Sequence, residues 1–542
     1  MRWWGWGDDT HDRPLPQAAA AMLREELGAP DEGRTRRPAA LDDVDLPESS
    51  LHERVRGKLA GAVGEDAVRT DRLERVTHAA GRSYPDLVRL RLGDARAAPD
   101  AVVYPAGPEE VAAVLTACAD AGVAVVPFGG GTSVVGGVEP LRGEFGAAIS
   151  LATTRMDRAV EVDLTSLTAT LGAGLTGPRA EEWLAARGLT LGHFPQSWEF
   201  ATIGGFAATR SAGQASTGYG RIDEMVLGLR CQTPSGELSV KALPASAAGP
   251  SLRELVVGSE GVLGVIGEVT LRVRPAPRTR RYEGWSFRSF EEGAEAFRAM
   301  EQGEAAPDVA RLSDEEETRI SMALAASGSA AEHAGRTYLR LRGHAGGCIA
   351  IVGWEGEEAV VRRRRARSHV HLRGGGGVYL GHRPGAAWLR GRYAGPYLRD
   401  ELLGRGVMAE TLETATTWSN LAALHRTVAA ALRDTLATRG TPAIVMCHVS
   451  HLYSSGASLY YTFLARQEQG AELDQWHAAK SAAGDAIVAN GGTITHHHAV
   501  GHDHLPWMRA EVGDLGVEVL RAAKERLDPR GIMNPGKLLP AA

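Results

Sequence analysis

Pro127-Phe128-Gly129-Gly130-Gly131-Thr132-Ser133 decides the fold. It follows a short apolar run, Val123 to Val126, that reads as a strand. Pro108, Glu109 and Glu110 open a helix before it, where a missing N–H does no harm and acids suit the dipole. Val111, Val114, Leu115 and Cys118 then form one apolar stripe, and Gly122 ends the helix. Glycine lets a ligand approach the main chain closely, and successive backbone amides with Thr and Ser hydroxyls suit an anion such as a phosphate. No Lys follows the last glycine, so this is not a Walker loop, and Val134 stands where a GxGxxG fingerprint needs its third glycine. Taken alone, the stretch reads equally well as a tight turn.

Three more segments follow in order. They are Pro195-Gln196-Ser197-Trp198-Glu199-Phe200-Ala201-Thr202, leading into Ile203-Gly204-Gly205; Thr209-Arg210-Ser211-Ala212; and Glu260-Gly261-Val262-Leu263-Gly264-Val265-Ile266, ahead of a strand ending at Pro275. Short strands at Ile149–Leu151, Val160–Val162 and Leu167–Leu171 and a helix over Arg179–Arg187 lie between the first two loops. The four loops in this order resemble the FAD-binding domain of the vanillyl-alcohol-oxidase flavoprotein superfamily. The resemblance implies an α+β fold: a two-lobed PCMH-type FAD-binding domain over residues 96–277 and an α/β cap (substrate) domain over 278–500. A helical N-terminal segment, 1–95, precedes them, and C-terminal helices, 501–542, return to the FAD domain. All four loops would line FAD, from Pro127–Ser133 at the pyrophosphate to the later ones at the adenosine and isoalloxazine. No histidine stands beside the first loop, so the FAD is expected to be non-covalent.

Near the C-terminus, His496, His497, His498, His502 and His504 fall within nine residues. Histidine titrates near neutrality and ligates metals, so the cluster is either a metal site or a proton-handling wall. Ile494–Val500 has strand-like composition, and alternation would put His497 opposite His496 and His498. A catalytic zinc needs three converging ligands. There is no HExxH, and the four cysteines are scattered without a CxxC, so no metal is expected. The alternative is a polar wall facing the flavin.

Arg2-Trp3-Trp4-Gly5-Trp6-Gly7, Gly456-Ala457-Ser458-Leu459-Tyr460-Tyr461-Thr462-Phe463 and Thr495-His496-His497-His498-Ala499-Val500-Gly501 narrow the resemblance to the alkyldihydroxyacetonephosphate synthase family, over nearly the whole chain. That family exchanges the acyl chain of acyl-dihydroxyacetone phosphate for a fatty alcohol, with no net oxidation. By motif match, Tyr460 takes the place of its acid/base tyrosine and His496, His497 and His498 that of its histidine triplet. Arg399, in Tyr397-Leu398-Arg399-Asp400, and Arg311, in Ala310-Arg311-Leu312-Ser313, match substrate-side arginines. Arginine's planar fork suits phosphate. His502 and His504 receive no role. Met533-Asn534-Pro535-Gly536-Lys537-Leu538 departs toward 2-hydroxyacid-oxidising relatives. The alternative function is therefore an FAD-linked oxidoreductase acting on a 2-hydroxy acid or alcohol. A homodimer is expected from the resemblance alone.

Composition bounds the remaining classes. The chain has 542 residues and a formal net charge of −6, which gives no pull toward nucleic acid. Only five of its 60 basic residues are Lys, a bias that fits a GC-rich genome better than phosphate recognition. The run Arg362–Arg365 with Arg367 reads as a solvated helix face. No basic start followed by an apolar run marks a leader, and no stretch is long enough to span a bilayer, so a cytoplasmic protein is expected. Trp3, Trp4 and Trp6 read as a clasp onto another domain, with insertion into a membrane surface as the alternative. Helices are expected over Leu421–Leu436, Leu473–Ala489 and Val512–Leu527, and a strand over Ser458–Leu464. Residues 316–380 carry no clear pattern.

Overall fold

A computed structural model describes residues 1–8, 15–29, 36–325 and 330–541. The helix Pro108–Ala121 ends at Gly122 in the left-handed conformation (φ 65°) and delivers the chain into the strand Val123–Phe128. That strand lies parallel to Ala147–Ala152, which is parallel to Ala101–Val103. Val68–Arg69, from the N-terminal segment, adds an antiparallel edge. The second lobe is a five-stranded antiparallel sheet in the order Ala159–Asp163, Thr168–Gly172, Val265–Arg272, Val226–Thr233, Gly236–Val240. One apolar core joins the two lobes, and Leu59 and Val63 of the helix Glu53–Val63 belong to it. The N-terminal residues are thus partly woven into the FAD-binding lobes.

The cap is a seven-stranded antiparallel sheet: Val378–Gly381, Thr279–Phe287, Cys348–Gly356, Val309–Ser313, Ala443–Tyr453, Gly456–Arg466, Val407–Thr417. The amphipathic helix Trp418–Thr438 packs on its last three strands and on the helix Glu472–Ala489. Leu421, Leu424, Val428 and Leu432 recur at helical spacing and are buried there with Leu412, Cys447 and Tyr461 of the sheet. The opposite face of those strands is left for polar side chains.

The stretch 316–380 resolves into the helices Glu315–Ala325, Ala330–Leu341 and Glu358–Gly374 with the strands Cys348–Gly356 and Val378–Gly381. The arginine run on Glu358–Gly374 is not simply solvated. Arg364 pairs with buried Asp308 at 2.8 Å, and Arg365 pairs with buried Glu283. Both carboxylates sit on or beside cap strands, so the helix is pinned to the sheet by charge.

The C-terminal helix Met508–Leu527 is kinked at Gly513 (φ 75°), and beyond it the chain re-enters the FAD lobes. Val125 N–H donates to Ile532, and Asn534 N–H donates back to Val125. The Asn534 side chain bridges the carbonyls of Gly137 and Glu260, and Lys537 donates to the carbonyl of Glu139. The Met533–Leu538 motif thereby fastens the loops on either side of Pro127–Ser133.

At the other end, buried Arg82 donates to the carbonyls of Gly5 (3.0 Å) and Arg2 (2.7 Å). Trp6 N–H donates to Asp400 at 2.6 Å, and its ring meets Phe200 edge-on at 5.3 Å. Trp3 and Trp6 are 9% and 3% exposed. The tryptophans form an internal clasp between Phe200, Asp400 and Arg82. Trp3 and Trp6 are thereby spent on protein contacts, and Trp4 is half-buried with the guanidiniums of Arg2 and Arg91 at 4.7 and 5.3 Å from its ring. Among the described residues, no helix is long and apolar enough to cross a membrane.

Candidate active site

Three neighbouring cap strands bring chemistry together through register. His448 stands opposite Tyr460, and Tyr460 stands opposite Glu413. Side chains alternate along a strand, so these three share the face turned away from Cys447, Tyr461 and Leu412. The His448 ring stacks on Tyr460 at 4.9 Å. Arg311 Nη1 donates to His448 Nε2 at 2.9 Å, which leaves His448 Nδ1–H to donate to Glu317 at 3.0 Å. Arg311 also pairs with Glu317 directly. Burial opposes ionisation of Glu317, but Arg311 and His448 prevail and lower it to about 2. Arg311 is thus tied into a closed Arg–His–Glu triangle behind Tyr460.

The histidine stretch does not form the expected strand. Residues 493–500 run as bends and irregular loop, with Ala499 at φ 75°. The cause is Glu413, 1% exposed. Its carboxylate accepts three successive backbone N–H groups, from His496 (2.6 Å), His497 (2.9 Å) and His498 (2.8 Å), and the Thr495 hydroxyl at 2.8 Å. A loop wrapped around one anion does not alternate its side chains across a sheet. His496, His497 and His498 therefore converge: ring centres lie 5.2 Å apart for the first pair and 4.8 Å for the second. Tyr460 lies 6.0 Å from His497 and 5.5 Å from His498.

Further residues, unmarked by the motifs, complete the cluster. His451, two strand positions from Val449, stacks on His496 at 4.9 Å and hydrogen-bonds to Ser216. Tyr453 shares a 2.6 Å hydrogen bond with His496 Nε2. His193, buried against Phe206, shares one with Ser211 Oγ at 3.1 Å. Glu413 was legible only as one of two acids, with Glu410, in a threonine-rich strand, and His448 and His451 only as a pair spaced by three.

Burial sets the protonation states. It holds His496 and His451 well below the ordinary imidazole range and lowers His497. His498 and His193 fall to about 3. Burial pushes the Tyr460 hydroxyl up to about 12. Burial alone would raise Glu413, but the imidazoles and loop amides hold it well below its ordinary value. At neutral pH the site holds neutral imidazoles, a neutral phenol and two buried carboxylates, Glu413 and Glu317. Arg399 is the cation whose field favours a Tyr460 phenolate. Its Nε is buried and meets no acceptor among the described residues.

The residues of the first flavin loop fit a bound pyrophosphate. Among the described residues, the N–H groups of Gly129, Gly130, Gly131, Thr132 and Ser133 meet no protein acceptor. A Cβ on Gly130 would stand 2.0 Å from the carbonyl oxygen of Phe200, so backbone crosses backbone there. Gly131 has φ +66°, which favours glycine. Thr202 caps the helix Ile203–Ala208 through Gly205 N–H.

Several of the other loop side chains have protein partners. Trp198 stacks on Tyr393 at 5.3 Å, Glu199 accepts from Tyr397 at 3.0 Å, and Gln196 accepts from Gln214 at 3.2 Å. Arg210 pairs with Asp223 at 3.3 Å and Glu254 at 3.1 Å. Glu260 accepts the N–H groups of Val500 (2.8 Å) and Gly501 (2.7 Å), joining the last flavin loop to the end of the histidine loop. Thr209 donates to the carbonyl of Gly205 at 2.9 Å, Ala212, Val262 and Leu263 are buried, and Val265–Arg272 is a strand. His502 pairs with Glu139 at 2.8 Å, and buried His504 bonds the carbonyl of Ala499 at 2.8 Å, so both brace the loop from outside.

Comparison with known proteins accords with this geometry. Residues 99–240 match the family described as FAD binding domain, and residues 276–538 match FAD linked oxidases, C-terminal domain. An alkyldihydroxyacetonephosphate synthase of Dictyostelium discoideum is 32% identical over 100% of this chain and 93% of its own length. One of Trypanosoma brucei brucei is 32% identical over 100% and 92%. A solved alkyldihydroxyacetonephosphate synthase superposes with a TM-score of 0.86 at 29% identity, covering 99% of both chains. p-Cresol methylhydroxylase, at 13% identity and a TM-score of 0.65 over 90% of this chain and 98% of its own, shares the fold. The chain belongs to the alkyldihydroxyacetonephosphate synthase family, and its cofactor is FAD.

Proposed function

We propose that the protein forms the ether bond of ether lipids, exchanging the fatty acyl group of acyl-dihydroxyacetone phosphate for a long-chain alcohol. The observation that carries this reading is Tyr460 held among His448, His497 and His498 on the cap face, with a free arginine edge, Arg399 Nε, in its field. FAD, which the four loops would hold, would supply both electrophilic and nucleophilic character toward carbon C1 of the substrate.

The protein's own residues handle charge and protons. Tyr460 removes a proton from C1 and returns it after exchange, which requires the phenol to come down from about 12, the direction in which its Thr411 hydrogen bond and Arg399 act. His496, His497 and His498, neutral in the resting site, donate to the departing carboxylate and accept the proton of the incoming alcohol. Arg399 takes the phosphate through its fork. Arg311 orients His448 and, through it, the Tyr460 ring. The residues Pro127–Ser133, Gln196–Thr202, Thr209–Ala212 and Glu260–Ile266 line FAD, held without a covalent tether.

We place the enzyme in the cytoplasm, as a homodimer touching the membrane only peripherally. Four free, buried cysteines suit a reducing compartment. Sedimentation equilibrium and liposome co-sedimentation test those two assembly claims.

Incubation with acyl-dihydroxyacetone phosphate and labelled hexadecanol is expected to give labelled alkyl product and free fatty acid, with no net reduction of the flavin. Tyr460→Phe is expected to lose roughly 10²-fold or more in turnover while keeping its flavin. No product from flavin-loaded enzyme, together with flavin bleaching by D-lactate, D-2-hydroxyglutarate or glycolate, would replace this reading with hydroxyacid oxidation.

A further inference from the structure

We infer that His451, His496 and His497 form a binding site for a divalent transition-metal ion of the zinc type. One nitrogen from each ring lies within 4.8 Å of the other two, and His496 Nδ1 and His497 Nδ1 are 2.9 Å apart. In a tetrahedral site with bonds near 2.0–2.1 Å, ligand nitrogens stand roughly 3.4 Å apart. One pair stands at 2.9 Å and none exceeds 4.8 Å, so the set is compact enough for ring rotations to close it on one ion. Ring centres offer a second measure. Three imidazoles around one tetrahedral ion have centres about 5.2 Å apart, and here the separations are 4.9, 5.2 and 5.3 Å.

The surroundings suit a cation. Two rings are oriented by outer partners, as metal-binding histidines are: His451 Nδ1 by Ser216 Oγ, and His496 Nε2 by Tyr453 at 2.6 Å. The buried Glu413 carboxylate stands 3.5 Å from His497 Nδ1 and 3.9 Å from His496 Nδ1, which offsets one of a dication's two positive charges. Arg221, whose charge acts on all three rings, is paired with Asp223 at 2.9 Å. Three histidines with an open fourth position are a zinc donor set. An ion held there takes two of the three histidines that the proposed ether exchange uses, so occupancy switches that reaction off.

The test uses the full-length, FAD-loaded protein, stripped with a chelator and titrated with ZnCl₂ by calorimetry and with CoCl₂ by visible absorption. One ion per chain is expected, with Kd at or below about 10 μM and tetrahedral cobalt bands. His451→Gln is expected to weaken binding at least tenfold, and His502→Gln, outside the set, to leave it unchanged, with the flavin spectrum certifying the fold of each. No retained ion, octahedral cobalt bands, or equal affinity in H451Q would overturn the site. Saturating zinc is expected to cut ether exchange at least tenfold, with recovery on chelation. Calorimetric binding without inhibition would overturn the switch alone, and absence of exchange in the metal-free enzyme would count against the ether reading rather than the site.

Discussion

Replacing Glu413 by Gln keeps the size of the side chain and removes its charge, which makes it the sharpest probe of how the histidine loop is held. One carboxylate oxygen, Oε1, accepts from Thr495, His497 and His498, and the other accepts from His496. A glutamine can leave its carbonyl oxygen at the threefold position, but its NH₂ then faces His496 N–H, donor against donor. One hydrogen bond to a charged group is lost, worth about 1.5–3 kcal/mol, and one buried N–H is left without an acceptor, at about 1–3 kcal/mol more. Partial relaxation brings the sum to about 3 kcal/mol, or roughly 10²-fold if the loop must be in place for reaction.

The assay is steady-state exchange of acyl-dihydroxyacetone phosphate with labelled alcohol. The expected signature is a fall in kcat of about 100-fold with KM little changed and the flavin fully bound, because a positioning residue acts on the reacting geometry and not on either ligand. A pH series adds a second readout. The Glu413 carboxyl lies well below its ordinary value, so its stabilisation is complete above about 4.5 and is lost as pH falls toward the folded value. Wild type should lose melting temperature on that acid limb, and E413Q should start lower and lack this component. Turnover in E413Q within about twofold of wild type would refute the claim that capture of the three amides positions the histidines.

Three further outcomes follow from other parts of the molecule. Gly130→Ala puts a Cβ 2.0 Å from the Phe200 carbonyl oxygen, and the flavin-to-protein absorbance ratio should fall severalfold, whereas Gly57→Ala, with nothing within 4 Å, should leave it unchanged. His502 is opposed by burial but raised to about 9 by Asp503 and Glu139. Its stabilisation is complete below about 6.5 and is lost as pH rises through 9, so H502Q should flatten the decline in melting temperature across that window, a contribution of at most about 3 kcal/mol. Arg399→Lys keeps charge but loses the planar fork, and KM for the phosphate substrate should rise about tenfold or more with kcat less affected.

The flavin lobes were legible because their signals are local. Pro108, the apolar stripe from Val111 to Cys118, and Gly122 at φ 65° specify a helix and its end within fifteen residues, and Val123–Phe128 follows directly. The GGGTS stretch needs close backbone approach, which only glycine allows beside Phe200. Cap residues were legible where a motif names them, as with Tyr460. Their partners were not. His448 and His451 reach the site through strand register, Glu317 from the helix Glu315–Ala325, 131 residues from His448, and Ser216 from the FAD lobe, 235 residues from His451. No window of local periodicity contains such pairings. The arginines at 364 and 365 misled for the same reason: their acids, Asp308 and Glu283, lie 56 and 82 residues away.

The histidine stretch shows where a periodicity argument stops being valid. Alternation of side chains follows from a backbone whose N–H and C=O groups are spent on neighbouring strands. Ile494–Val500 has the composition for that, yet three of its successive N–H groups are spent on one buried carboxylate from another strand. Once the amides converge on a point, the side chains can converge as well, and the objection that His497 must face away from its neighbours loses its premise. A single acid, Glu413, thus converts a would-be strand into a cluster of imidazoles and keeps them beside Tyr460. The choice between metal site and proton-handling wall is then not set by geometry, which serves both. It is set by what competes for the imidazoles: the substrate's acid and alcohol in the working enzyme, or a dication when one is available.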